Sequence, residues 1–132
     1  MGGARAMEKY RGSCHCGRVR FEVDLDLNHV RSCDCSICHR RGALLCRAEA
    51  RHFRLLSSLE DLTLYQWHTR TAEDYFCPTC GILPFRRPRH RTAREIAEGV
   101  PEFSGWSINV RCLEGVALRD IPVVQIHGRD LD

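Results

Sequence analysis

Phe76-Cys77-Pro78-Thr79-Cys80-Gly81 is a two-cysteine turn, and its natural partner is Cys14-His15-Cys16, far earlier in the chain. In an extended strand, residues two apart project to one face, so Cys14 and Cys16 can offer both sulfurs to one ion while His15 points away. Pro78 and Gly81 favour a knuckle at Cys77 and Cys80 whose backbone N–H groups reach the thiolates. Together the two pairs make a Cys₄ set, the closed tetrahedral arrangement of a structural zinc. Such a site joins the amino-terminal strand to a later hairpin, and its binding free energy becomes folding free energy. A redox reading of Cys77-Pro78-Thr79-Cys80 needs a βαβ context that the local pattern lacks. A Cys14–Cys16 disulfide would close a very small, strained ring.

Between the pairs stands Cys33-Asp34-Cys35-Ser36-Ile37-Cys38. A strand end would present Cys33 and Cys35 on one face, and the turn after Ser36 would bring Cys38 back to the same point. Three thiolates on zinc leave a fourth position for water or a substrate sulfur. That vacancy would let the metal favour a thiolate nucleophile near neutral pH. His39 or Cys46 could instead close the site as a fourth ligand, although His39 would need a sharp reversal and Cys46 lies in an apolar strand. Asp34, Ser36 and His39 are candidates for orienting the ligands.

Seven of the nine cysteines fall in these clusters. In a reducing compartment, closely spaced thiols read more readily as metal ligands than as disulfides. The remaining two, Cys46 and Cys112, read as small buried apolar residues. A chain of 132 residues has room for one modest domain with a thin core, which metal would staple. No apolar run approaches the roughly 20 residues of a membrane span. The opening MGGARAMEKY has no signal-peptide core, so a cytoplasmic protein without membrane association is expected.

The formal charge of +3 counts every thiol as neutral. Seven thiolates holding two divalent ions would bring it to about zero, which argues against nucleic acid as a general partner. Arginines are nevertheless crowded at Arg86, Arg87, Arg89, Arg91 and Arg94. The stretch from Arg86 to Pro101 reads as a long exposed loop or lid that could attract a carboxylate-bearing thiol or a phosphate.

Short apolar or alternating segments recur between turn residues: Val19 to Val23, Ala43 to Cys46, Phe53 to Leu56, Leu62 to Trp67, Tyr75 to Phe76, Ile82 to Phe85, Trp106 to Val110 and Ile121 to Ile126. This spacing predicts a mainly β, antiparallel single domain. Short helical turns are expected after Cys35 and near Thr92 to Glu98. Residues 1–9 read as a flexible segment and 10–130 as the zinc-binding domain. Trp67, Phe76, Phe85 and Trp106 are candidates for either core or cleft.

In order, Gly12-Ser13-Cys14-His15-Cys16-Gly17, Cys33-Asp34-Cys35-Ser36-Ile37-Cys38 and Phe76-Cys77-Pro78-Thr79-Cys80-Gly81 resemble the glutathione-dependent formaldehyde-activating enzyme family, which also includes centromere protein V. The tail Asn109-Val110-Arg111-Cys112-Leu113-Glu114-Gly115 and the closing His127-Gly128-Arg129 are similar to that family's end. The resemblance implies a β-tent of antiparallel sheets and two Zn²⁺ per chain. It assigns Cys14, Cys16, Cys77 and Cys80 to the structural ion and Cys33, Cys35 and Cys38 to an exchangeable, catalytic one. It also implies a carbon–sulfur lyase or synthase that joins a small thiol such as glutathione to formaldehyde or another small aldehyde. The competing expectation is a non-catalytic zinc-stabilised binding module, contacting nucleic acid or acidic ligands through Arg86 to Arg94.

Overall fold

The computed structural model describes residues 7–131. In chain order its elements are β1 (Glu8–Ser13), β2 (Arg20–Leu25), β3 (Val30–Cys33), α1 (Ser36–Arg41), β4 (Leu45–Ala48), β5 (Phe53–Leu55), β6 (Thr63–Tyr65), β7 (Glu73–Phe76), β8 (Phe85–Arg87), α2 (Ala93–Ala97), β9 (Trp106–Asn109) and β10 (Val123–Ile126), with short 3₁₀ turns between some of them. They form a three-stranded sheet in the order β1-β2-β5 and a seven-stranded sheet in the order β10-β3-β4-β9-β8-β7-β6.

All pairings are antiparallel except one. β10 returns from the end of the chain to lie parallel to β3, with Ile126 opposite Cys33. Two strands escape the reading of apolar segments. β1 is largely polar and exposed, held by its six-residue register with β2, and it already includes Glu8 and Lys9. β3, Val30-Arg31-Ser32-Cys33, has one buried apolar residue. Pairing partners, not intrinsic pattern, make these strands.

Alternation along the strands divides the large sheet into two faces. On one face Tyr75, Phe85, Ile108 and Cys46 are register partners across β7, β8, β9 and β4. This face meets the small sheet through Phe21 and Phe53. Phe53 lies 4.8 Å from Trp106 and 5.0 Å from Phe85 between ring centroids, while Phe85 and Trp106 meet edge-on at 5.3 Å. Offset and edge-on contacts are the favoured geometries for aromatic pairs. Phe85 and Trp106 are therefore core residues, whereas Trp67 lies on the wall of a cavity on the opposite face.

That opposite face carries a polar row with the same register: Asp74, Arg86, Ser107 and Arg47. Asp74 is fully buried, yet it accepts from Arg86 and from Arg41 of α1, the latter at 3.4 Å. Two guanidinium partners offset the desolvation that an isolated buried carboxylate would suffer. The pair of bridges pins α1 against β7 and β8, and so fixes the segment that carries Cys38.

Candidate metal centres

The first cluster is built from two turns. β1 ends at Ser13, so Cys14 and Cys16 sit in the turn to β2 and not in an extended strand. The turn closes through Cys14 N–H to the Val19 carbonyl (3.1 Å) and Gly17 N–H to the Cys14 carbonyl (3.3 Å), with Gly17 at φ +83°. Val19 N–H also donates to the Cys14 sulfur at 3.3 Å. On the other side, Gly81 at φ +79° lets its N–H reach the Cys77 carbonyl at 2.7 Å, while Cys77 N–H bonds the Ile82 carbonyl. A left-handed residue is what such a knuckle needs, and glycine supplies it without steric cost.

The sulfurs of Cys14, Cys16, Cys77 and Cys80 all lie within 4.8 Å of one another. Cys14 and Cys16 are 3.6 Å apart and Cys16 and Cys77 are 3.7 Å apart. With metal–sulfur bonds of ~2.3 Å, a tetrahedral thiolate site requires sulfurs about 3.8 Å apart. The four could hold a metal ion as they stand. Burial raises the Cys80 thiol, but backbone N–H groups of Cys16 and Ile82 and the neighbouring thiols outweigh it and hold Cys80 down at about 6. Cys77 is lowered too, its burial offset by N–H groups of Cys80 and Thr79. Hydrogen bonds to the charged form favour thiolates, the form that binds metal.

The second cluster is local. Cys33 ends β3, Cys35 is the N-cap of α1 and Cys38 lies in its first turn. The helix, not a simple strand end, brings them together: Cys35 is extended at φ −61°, ψ 162°, and His39 N–H bonds its carbonyl at 2.9 Å. Gly42 at φ +68° then stops the helix. The three sulfurs lie within 4.8 Å of one another. Burial and the Cys35 thiol push the buried Cys38 thiol well up, while Arg86 acts in the opposite direction. Among the described residues neither His39 nor Cys46 belongs to this group. His39 is exposed, and Cys46 faces the aromatic core, where burial pushes its thiol up to about 11. Cys112, also packed against the core but only partly buried, is pushed up to about 12 for the same reason.

Distant parts of the chain finish this centre. The turn after β10 lays Gly128 on the cluster, where an added Cβ would overlap the Cys33 sulfur and stand 3.1 Å from the Cys35 Cβ. Arg129 N–H donates to the Asp34 carboxylate at 2.9 Å, and His127 Nδ1 lies 3.5 Å from its other oxygen. These contacts hold the Asp34 carboxyl below its usual range. No spacing in the sequence points to Gly128 as part of the centre. Its role depends on the parallel return of β10.

A cavity of about 220 Å³ opens above Cys33, Cys35 and Cys38. The stretch after β8 forms one wall, as a structured strap and not as a free loop. Thr92 caps α2 with a reciprocal Thr92–Glu95 capping box, and Arg89 grips Glu95 through two hydrogen bonds of 2.6 and 3.1 Å. Arg91 donates to the Val100 carbonyl. The arginine run is thus divided. Arg86, Arg89 and Arg91 line the cavity, Arg87 stacks over Trp106 at 4.2 Å, and Arg94 remains outside beside Glu98.

Two sheets meeting over an aromatic core, with a four-cysteine cluster and a three-cysteine cluster beneath a cavity, define a mainly β protein with two thiol clusters that could each hold a metal ion. The family model described as glutathione-dependent formaldehyde-activating enzyme matches residues 9–101, and the chain belongs to that family. It is also similar to the crystal structure of a Rhodobacter sphaeroides protein, with 41% identity and a TM-score of 0.70, covering 86% of this chain and 99% of that one. Among the described residues no helix is long and apolar enough to cross a membrane.

Proposed function

We propose that the protein is a zinc-dependent carbon–sulfur lyase or synthase that joins a small thiol, glutathione or an analogue, to formaldehyde or another small aldehyde. The observation that carries this reading is the contrast in ligand number: four mutually close sulfurs at Cys14, Cys16, Cys77 and Cys80, but three at Cys33, Cys35 and Cys38, with a cavity above the three. A closed four-ligand set suits a structural ion, and an open three-ligand set suits a catalytic one. Zinc bound there supplies Lewis acidity, which favours a thiolate over a thiol near neutral pH.

The chain's own groups supply the rest. Cys33, Cys35 and Cys38 fix the position at which a substrate sulfur would enter. Gly128 leaves the room that the Cys33 and Cys35 side chains occupy. The strap carrying Arg89 and α2 forms one wall of the cavity, and Arg86 contributes positive charge beside Cys38. In the condensation the thiol sulfur bonds to the aldehyde carbon, the carbonyl π pair moves to oxygen, and the thiol's proton ends on that oxygen. The product is an S-hydroxyalkyl thioether-alcohol, and the reverse reaction is the lyase direction.

The test is to follow glutathione and ¹³C-formaldehyde by NMR with the zinc-loaded protein. Adduct exchange faster than in buffer, abolished in Cys35→Ser, is expected. Exchange no faster than the uncatalysed rate would overturn the reading.

A further inference from the structure

Among the described residues two cavity arginines have neither a carboxylate partner nor a hydrogen-bond acceptor. Arg31 on β3 and Arg47 on β4 both line the cavity, as do Cys33 and Leu45, each two residues along the same strand and therefore on the same face. Arg86 is engaged by Asp74, Arg89 by Glu95, and Arg91 by a backbone carbonyl. By contrast, among the described residues no carboxylate lies within ion-pair distance of Arg31 or Arg47, and neither guanidinium donates a hydrogen bond. Arg47 stacks over Phe103 at 4.9 Å. Stacking occupies the face of a guanidinium and leaves its edge N–H groups available.

Holding unpaired like charges together is unfavourable. Burial and the neighbouring Arg31, Arg89 and Arg86 all press the Arg47 guanidinium below its usual range. Arg86 and Arg89 are already paired with Asp74 and Glu95, so the one net negative charge that three thiolates and a divalent ion would carry is set against the unpaired arginines, and they still exceed it. Glu102 also lines the cavity, but the free lining charge of Arg31, Arg47 and Arg91 exceeds it. The surplus suits an anion, and a paired fork of guanidinium donors suits a planar carboxylate in particular.

We propose that Arg31 and Arg47 form a carboxylate-binding subsite beside the three-cysteine centre, which selects thiols bearing a free carboxylate over neutral thiols. It rests on the reading of that centre as the place where a substrate sulfur binds. The sulfur anchors one end of the ligand at the cysteines, and the carboxylate anchors the other on the strand face that β3 and β4 share.

Calorimetric titration of the zinc-loaded full chain with glutathione and with glutathione diethyl ester tests this directly. The acid should bind at least about tenfold more tightly than the ester, as the loss of charge-assisted hydrogen bonds predicts. Arg47→Gln and Arg31→Gln should each weaken glutathione by about tenfold and leave the ester unchanged, with Arg47→Lys intermediate because it keeps the charge but loses the fork. Equal affinity for acid and ester overturns the subsite, and so does an equal loss of both in the Gln variants. Discrimination without turnover removes the proposed reaction and keeps the subsite. Turnover without discrimination does the opposite, and binding of neither ligand overturns both.

Discussion

The two cysteine clusters use the chain in opposite ways. Cys14 and Cys16 meet Cys77 and Cys80 from turns 61 residues apart, so their site exists only once both halves have folded. Cys33, Cys35 and Cys38 come from one strand end and one helix turn, and distant residues supply only the surroundings. A metal held between remote turns contributes to global stability. A metal held by a local turn could be lost with the sheets still joined, which suits it to the exchange chemistry proposed for the three-cysteine centre.

The largest test of this difference is Cys77→Ser. Structural zinc is worth about 10–16 kcal/mol in small zinc domains, comparable to the entire 5–15 kcal/mol or so that holds a typical domain folded. The variant is expected to lose the cooperative thermal transition, as followed by circular dichroism. A preserved transition would break the comparison. Cys35→Ser should do the reverse: metal content falls by one ion per chain, adduct exchange is lost, and Tm moves by less than about 5 °C, equivalent to about 1 kcal/mol for a domain of this size. Elemental analysis and calorimetry on one preparation separate the two results.

Gly128→Ala is a finer probe, since its methyl would press on Cys33 and Cys35 without removing a ligand. We expect metal affinity at the three-cysteine centre to fall about 10- to 100-fold, the range seen when groups that orient ligands are changed, with the four-cysteine site untouched. Competition with a chromophoric chelator measures both. The smallest effect belongs to the strap. The Arg89 guanidinium and the Thr92 N–H hold Glu95 at about 2, below its ordinary 4.5. A depressed carboxylate stabilises above its unfolded pKa and ceases to as pH falls through the folded one. Hydrogen-exchange protection of the strap should therefore decline from about pH 4.5 towards 2, and Glu95→Gln should lower it at neutral pH and flatten this decline. The aromatic core strands should keep their protection over the same range.

Much of this was legible in the chain. Pro78 and Gly81 around Cys77 and Cys80 imply a knuckle with N–H groups aimed at sulfur, and the hydrogen bonds to Cys77 and Cys80 bear it out. The short apolar segments locate most strands, and Thr92 with Glu95 makes the short helix foreseen near Thr92 to Glu98. The polar strand β1 was not legible, because its stability comes from register with β2 and not from its own side chains. Nor was the fate of the arginines. Read as a run, Arg86 to Arg94 suggests one exposed basic loop; strand alternation and the capping box send three inward, one onto Trp106 and one to solvent.

By itself the sequence determined the thiols and their local groups of two, three and two, because spacing and turn residues act over a few bonds; that the two pairs meet as one four-sulfur set is tertiary. Tertiary structure alone decided what surrounds the open centre. Gly128 reaches Cys33 only through the parallel return of β10, and Arg47 enters the polar row with Ser107, Arg86 and Asp74 only through the register of β4, β9, β8 and β7. A one-residue slip would turn that row into the core. Register is a property of paired strands, and no single segment carries it.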